Sequence, residues 1–410
     1  MRSRRISFSA NKILATSTVI ALLTTAAWAA GKTKLVYSFG GGSDGEYTDT
    51  ELVMDKAGNL YGTSVQGGAF GAGTVFQVTP TGVHTVLYNF TGGTDGGEPY
   101  KGVTLDNEGN LYGTAVTGGG GSCEGGCGVV FKLTHMNGTW TQIVIHQFTG
   151  GSDGSGVGSP VAFDRHGNLY GTTPTGGALG LGVVYQLKPE ENGQWTLHVV
   201  HTFMGGADGS GGSAGKLLIS RAGNIYGVCT VGGVHGFGTV YKISHHERHW
   251  HFTTLYAFKD QPDGASPYGG LVFDKRGNLY GTTYYAGAND FGTVYKLTRH
   301  EDTWTESVLY SFKGGSDGDS PISTLAADEN GNFYGTTSDG GSSSCGCGTV
   351  FKMIRDENGT WSESVVYRFP GAPRPAFAYN GLVRDSAGNF YGTTVHGGAG
   401  DDGAIYEFIP

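Results

Sequence analysis

The hexapeptide Gly277-Asn278-Leu279-Tyr280-Gly281-Thr282 sets what this chain can fold into, because close variants of it begin at Gly58, Gly109, Gly167, Gly223, Gly331 and Gly388. The asparagines of the seven copies (59, 110, 168, 224, 278, 332 and 389) are separated by 51, 58, 56, 54, 54 and 57 residues. A motif that returns seven times at such a period marks one supersecondary unit copied in tandem, each copy burying its apolar surface against its neighbours. The 76 glycines among 410 residues do not signal disorder, since 21 Phe and 22 Tyr accompany them and the glycines hold fixed places in each copy.

Within the fifth copy, Gly270 to Asp274 is a short apolar run and Asn278 to Thr283 a second. Gly292 to Thr298 and Trp304 to Phe312 follow as third and fourth runs, all joined by Gly/Asp/Asn-rich turns. Four such runs make a four-stranded antiparallel meander. No stretch after the N-terminal segment has the 3.6-residue apolar period of a helix. The turn between the first two strands is D-x-x-G-N in most copies, as at Asp55–Asn59, Asp164–Asn168 and Asp274–Asn278. There the Asp side chain can cap its own turn while Gly and Asn accept positive φ. Leu and Tyr are adjacent in the second strand and therefore point to opposite faces, so both faces must be buried. With no helices to cover them, only neighbouring copies can do so. The glycine after each Tyr (Gly62, Gly281, Gly392) is expected to leave room for the next sheet. Radial packing of four-stranded sheets is an all-β, seven-bladed β-propeller. The seventh copy has only three strands before Pro410, while Leu35-Val-Tyr-Ser-Phe39 matches the fourth strand Leu309-Tyr-Ser-Phe312. The N-terminal strand is thus expected to complete the last blade and close the ring, which otherwise leaves raw sheet edges at both ends.

The recurring D-x-x-G-N-L-Y-G-T-T, G-G, G-T-V-Y-K-L-T and L-Y-S-F-x-G-G-x-D-G segments resemble the GloVer tandem repeat of exported bacterial proteins over about residues 34–410. The strand pattern is more distantly similar to NHL-type propellers, which implies that the first strand of each blade is innermost. The resemblance implies a propeller and export. It supplies no catalytic residues. Unlike anchored members of that family, the chain ends at Pro410 without a sorting tail.

Residues 1–29 read as an export signal: Arg2, Arg4, Arg5 and Lys12 precede an apolar stretch from Ile13 to Ala27, and Ala27-Trp28-Ala29 is an A-x-A cleavage site. The stretch is short for a membrane span and no second one follows, so residues 32–410 are expected to form a soluble monomeric propeller in the periplasm or outside the cell. Removing the signal leaves 35 acidic against 22 basic residues, a net charge of −13, which excludes the basic footprint of a nucleic-acid partner. In an exported protein, Cys123 and Cys127, in one loop, read as a disulfide. Cys345 and Cys347 are in the equivalent loop four copies later, where a bond within C-x-C closes a strained ring. Cys229 lies alone in an apolar strand as a buried free thiol.

No nucleophile motif, phosphate-binding loop, dinucleotide fingerprint or metalloprotease motif occurs, and no metal or cofactor is expected. The G-G-x-D-G turns (Asp44, Asp95, Asp153, Asp208 and Asp317, with Asp263 in a looser variant) supply one carboxylate per loop, too few for a calcium cage. They read as Gly-rich turns in which Asp bonds its own backbone. His245, His246, His249 and His251 crowd a turn on the opposite face and read as solvated. The candidate site is where the repeat loses its regularity. Six of the seven inner strands end in Asp, yet the residues leading into them differ: Asp49 and Glu51, Tyr100 and Lys101, Lys216, Tyr268, Tyr379 and Asn380. Packing does not explain that variation. Tyr100, Tyr268 and Tyr379 share one register and would present stacking surfaces to a sugar, and Lys101 and Lys216 would favour an anionic glycan. Tyr284, Tyr285, His235, Asp290 and His396 border the same face from the second-to-third loops. The expectation is a binding or structural propeller recognising a glycan or an extracellular protein at the channel mouth, more a binder than an enzyme. The alternative is a carbohydrate-active hydrolase or lyase at the same mouth, which needs a carboxylate pair at catalytic distance.

Overall fold

The computed structural model describes residues 32–410 apart from 213–214, 302 and 342–344; the expected export signal at 1–29 lies outside the described residues. It shows seven antiparallel sheets in a ring and, among the described residues, no α-helix and no helix long and apolar enough to cross a membrane. Blade 1 runs Val53–Met54, Leu60–Ser64, Thr74–Val78 and His84–Asn89, each strand bonded to the next. Five further copies repeat that meander. Blade 7 takes three strands from the C-terminal end (Val383–Arg384, Phe390–Thr394, Ala404–Ile409) and its fourth from Lys32–Ser38, which pairs with Ala404–Ile409. The ring is closed by the N-terminal strand.

The Leu-Tyr step of the second strand builds the interface between blades. Leu60 packs on Phe39 and Ile405 of blade 7, while Tyr61, one residue on, packs on Leu111, Val103 and Phe131 of blade 2. The pattern recurs around the ring: Tyr112 meets Leu169 and Tyr185, Tyr226 meets Leu279 and Tyr295, and Tyr334 meets Phe390 and Tyr406. The tryptophans that start the fourth strands cover these seams from outside, with Trp195 edge-on to Tyr112 and Trp250 to Tyr170 of the preceding blades.

The glycine after each Tyr has a different role from the one expected. Gly281 lies opposite Tyr295 in the same sheet, and a Cβ at Gly281 would lie 2.5 Å from the Tyr295 hydroxyl oxygen. Gly62 stands in the same relation to Phe76, with the ring 2.7 Å from such a Cβ. The room is for the cross-strand aromatic of the same blade, whose ring lies against the glycine and packs on the preceding blade.

The turns are built by carboxylates. Asp55 accepts the backbone N–H groups of Ala57 and Asn59 on one oxygen and the Asn59 amide and Tyr61 hydroxyl on the other. Each G-G-x-D-G aspartate likewise accepts a backbone N–H four residues back, as Gly40 to Asp44 and Lys313 to Asp317. It is also met by the Tyr or His seven residues back, as Tyr310 to Asp317 and His201 to Asp208. These aspartates hold the loops together. Cys123 and Cys127 are bonded, as are Cys345 and Cys347 despite the short spacing, and Cys229 is a buried free thiol.

Two glutamates on outer strands sit against these turn aspartates. Glu306 faces Asp263 and Glu363 faces Asp317, and burial followed by the neighbouring carboxylate pushes each glutamate up to about 8. Both have a buried carboxyl oxygen with no other partner. A folded-state pKa above the unfolded one means the folded protein holds the extra proton. The contribution is complete below the ordinary glutamate range and is lost as pH rises through about 8. The melting temperature is therefore expected to fall between about pH 5 and pH 8, and a Glu306→Gln, Glu363→Gln double variant to show a flatter profile over that range. An unchanged slope in the variant would refute the account of two buried glutamates that hold a proton. Separately, Gly281→Ala is expected to cost about 1–3 kcal/mol in denaturant unfolding, as overpacking of a filled core. Gly281 has ordinary negative φ, so wild-type stability in this variant would mean that the cross-strand ring is not confined as described.

Candidate functional site

Three successive residues lead from each loop into each inner strand. Six residues before the turn aspartate stand Asp49, Tyr100, Tyr268, Ile322 and Tyr379; the next two positions hold Lys101 and Asn380, then Glu51 and Lys216. All seven copies contribute to a single cavity of about 410 Å³, which places it on the ring axis. Its wall includes all eight candidates: Asp49, Glu51, Tyr100, Lys101, Lys216, Tyr268, Tyr379 and Asn380. The inner strands are held at the axis by side chain to backbone bonds between blades. Thr393 donates to the Thr50 carbonyl at 2.8 Å and Thr336 to the Asn380 carbonyl at 3.1 Å. Backbones approach closely here: a Cβ on Gly269 or Gly270 would run into Ser323, Thr324 or Lys216. Small residues at those places leave the axis to the long side chains of the other blades.

The rings are open to the cavity. Tyr100 and Tyr268 keep 40% and 42% of their surface, so neither is an interblade packing residue, and Tyr379 is half-buried. Tyr268 and Tyr284 have ring centroids 6.2 Å apart. The Lys101 ammonium lies 5.2 Å from the centre of the Tyr100 ring. Asp49 accepts a hydrogen bond from the Asn380 amide and another from the Tyr100 hydroxyl.

Charge at the site comes in matched pairs. Burial raises the Asp49 carboxyl, against the pull of nearby Lys101, and lowers the Lys101 ammonium, against the pull of Asp49. Glu51 and Lys216 form the second pair by the same two effects. Desolvation disfavours both charged forms and the partner restores them. Lys216 also borders a depression at the other end of the inner strands, beside Leu52, Val53 and Thr104, so Glu51 and Lys216 form the cavity floor. The lysines therefore do not make the mouth positive, as the sequence suggested. Each has a carboxylate of another blade as its electrostatic partner, Asp49 for Lys101 and Glu51 for Lys216.

Of the second-to-third loop residues, Tyr284 reaches the cavity; Tyr285, His235, Asp290 and His396 are not among its lining. Sequence reasoning missed Ser338 and Asp339, which line the blade 6 wall with Ser323 and Thr324. Tyr284 and Asp339 come from the two blades whose second strands run on, Leu279–Tyr285 and Phe333–Asp339, pairing with extra strands Ala265–Pro267 and Asp319–Pro321. The available signal was the pair that ends the second strand, Tyr284-Tyr285 and Ser338-Asp339, where three other copies begin with Val (Val65, Val116 and Val395). The histidines of the 245–251 turn are exposed.

No curated protein matches the chain in sequence. Among solved structures, it is similar to a candidate 6-phosphogluconolactonase from Bacteroides uniformis at 14% identity and a TM-score of 0.54, covering 82% of this chain and 88% of that one. The extracellular domain of a candidate hybrid two-component system from B. thetaiotaomicron matches at 12% identity and a TM-score of 0.59, over 92% of this chain and 39% of that one. An ancestral GH74 enzyme matches at 10% identity and a TM-score of 0.55, over 89% and 47%. These likenesses concern the fold. The sequence profile of the Gloeobacter/Verrucomicrobia repeat matches residues 21–154, 116–347 and 216–410, and the chain belongs to that repeat family.

Proposed function

We propose that this protein is exported and works as a binding propeller that holds a glycan in the axial cavity. The observation that carries this is convergence: the residues that break the repeat come from five separate copies and line one open cavity. Flat, partly exposed rings beside hydrogen-bonding groups of both signs are the equipment of a sugar site. Fold neighbours that include enzymes and a receptor domain do not choose between binding and catalysis. The carboxylates favour binding. Glycoside hydrolysis uses one carboxyl as acid and a second as base or nucleophile across the sugar. Here Asp49 is engaged by Lys101, Asn380 and Tyr100, and Glu51 is set in the floor against Lys216. Export is supported by the basic and apolar run ending in Ala27-Trp28-Ala29 and by the Cys123–Cys127 bond, which persists in oxidising compartments.

Glycan-array screening of residues 30–410 is expected to yield a saccharide ligand. Replacing Tyr268 and Tyr379 by Ala should then weaken its binding by roughly 1–3 kcal/mol with the melting temperature unchanged. A double variant that binds as tightly as wild type would remove the axial cavity as the site. Intact-mass analysis of the protein recovered from culture is expected to give a chain starting at Ala30. Recovery with residues 1–29 attached would overturn the cleavage reading.

A further inference from the structure

The charge in the cavity does not sum to zero once the pairs are counted. Its wall carries three carboxyl side chains, Asp49, Glu51 and Asp339, against two lysines, Lys101 and Lys216, a formal balance of −1. The carboxylate in excess of the lysines is Asp339, which accepts only the Ser338 hydroxyl, at 2.6 Å, among the hydrogen bonds of the described residues. Directly opposite it in the sheet is Asp319, another carboxylate, bonded to the Ser320 hydroxyl. Like charges facing one another across a strand pair are destabilising. No Lys, Arg or His among the described residues lies within salt-bridge distance of either. Tyr284 and Tyr379, from the blades on either side of blade 6, line the same cavity, so this uncompensated carboxylate stands beside two of the tyrosine rings.

A cation set between a carboxylate and tyrosine faces is attracted by both, through charge pairing and through the ring quadrupole. A sugar ring stacks on the same faces. Resting on the glycan reading above, we infer that the axial cavity selects an amine-bearing saccharide, its protonated amino group placed against Asp339 between Tyr284 and Tyr379. An anionic sugar would add a third negative charge beside Asp319 and Asp339. An N-acetylated sugar would keep the stacking but bring no cation.

The test is calorimetric titration with three oligosaccharides of matched length, at mildly acidic pH where free amines are protonated: a glucosamine oligomer, its N-acetylated counterpart and a uronic acid oligomer. The expected order places the glucosamine oligomer about tenfold tighter than the N-acetylated one, within the range of a partly desolvated cation–aromatic contact, with the uronic acid oligomer weakest. Asp339→Asn should abolish that preference while leaving binding of the N-acetylated oligomer near wild type; Asp319→Asn, one strand back, should reduce it in part and serves if the first variant does not fold. Equal or tighter binding of the N-acetylated or uronic acid oligomer overturns this inference and leaves the glycan reading standing. Binding of none of the three removes both.

Discussion

The structure depends on one packing constraint: the second strand of every blade is apolar on both faces. Leu60 and Tyr61, neighbours in sequence, serve different blade interfaces, and the same division is repeated with each copy. A sheet with two buried faces and no covering helices has to be sandwiched between its own kind. The ring then needs closing, because a last blade with one strand missing exposes both a sheet edge and the apolar face beside it. Phe39, at the end of the N-terminal strand and fully buried, fills that seam from the far end of the sequence.

The same constraint leaves the axis free. The packing lies in the middle of each blade, the turns are held by aspartates that bond their own backbones, and tryptophans cover the outside. The residues just before each inner strand carry none of this load. They touch neighbouring blades through their backbone carbonyls, as Thr50 does in accepting from the Thr393 hydroxyl. Their side chains can therefore differ from copy to copy without cost to the ring, and they do. A repeat scaffold of this kind supplies seven nearly independent positions around one cavity.

Electrostatics in that cavity illustrates why residue types alone mislead. Two lysines in an acidic protein suggest a positive patch. In a narrow shaft, a lysine is desolvated by surrounding protein and must find a carboxylate, and here the ring geometry brings Asp49 to Lys101 and Glu51 to Lys216 from different blades. Blade 6, where the register sets Asp319 opposite Asp339, is the part of the wall left with net charge.

The sequence by itself determined the repeat, the strand order, the seven-bladed ring and its closure, because these follow from periodicity and from which residues cannot remain exposed. It also marked the positions of the candidate site, since Tyr100, Tyr268 and Tyr379 interrupt a strict pattern at one register. It did not determine what those positions face. Which lysine meets which carboxylate depends on how far the blades rotate about the axis, a property no single copy encodes. The role of Gly281 was likewise hidden, because its neighbour Tyr295 is fourteen residues away in sequence but opposite it in the sheet. Asp339 entered the cavity only because the second strand of blade 6 runs two residues further than those of most copies and pairs with an added strand. Composition and spacing report which residues must be buried or must turn; tertiary structure alone decides which of the rest end up next to one another.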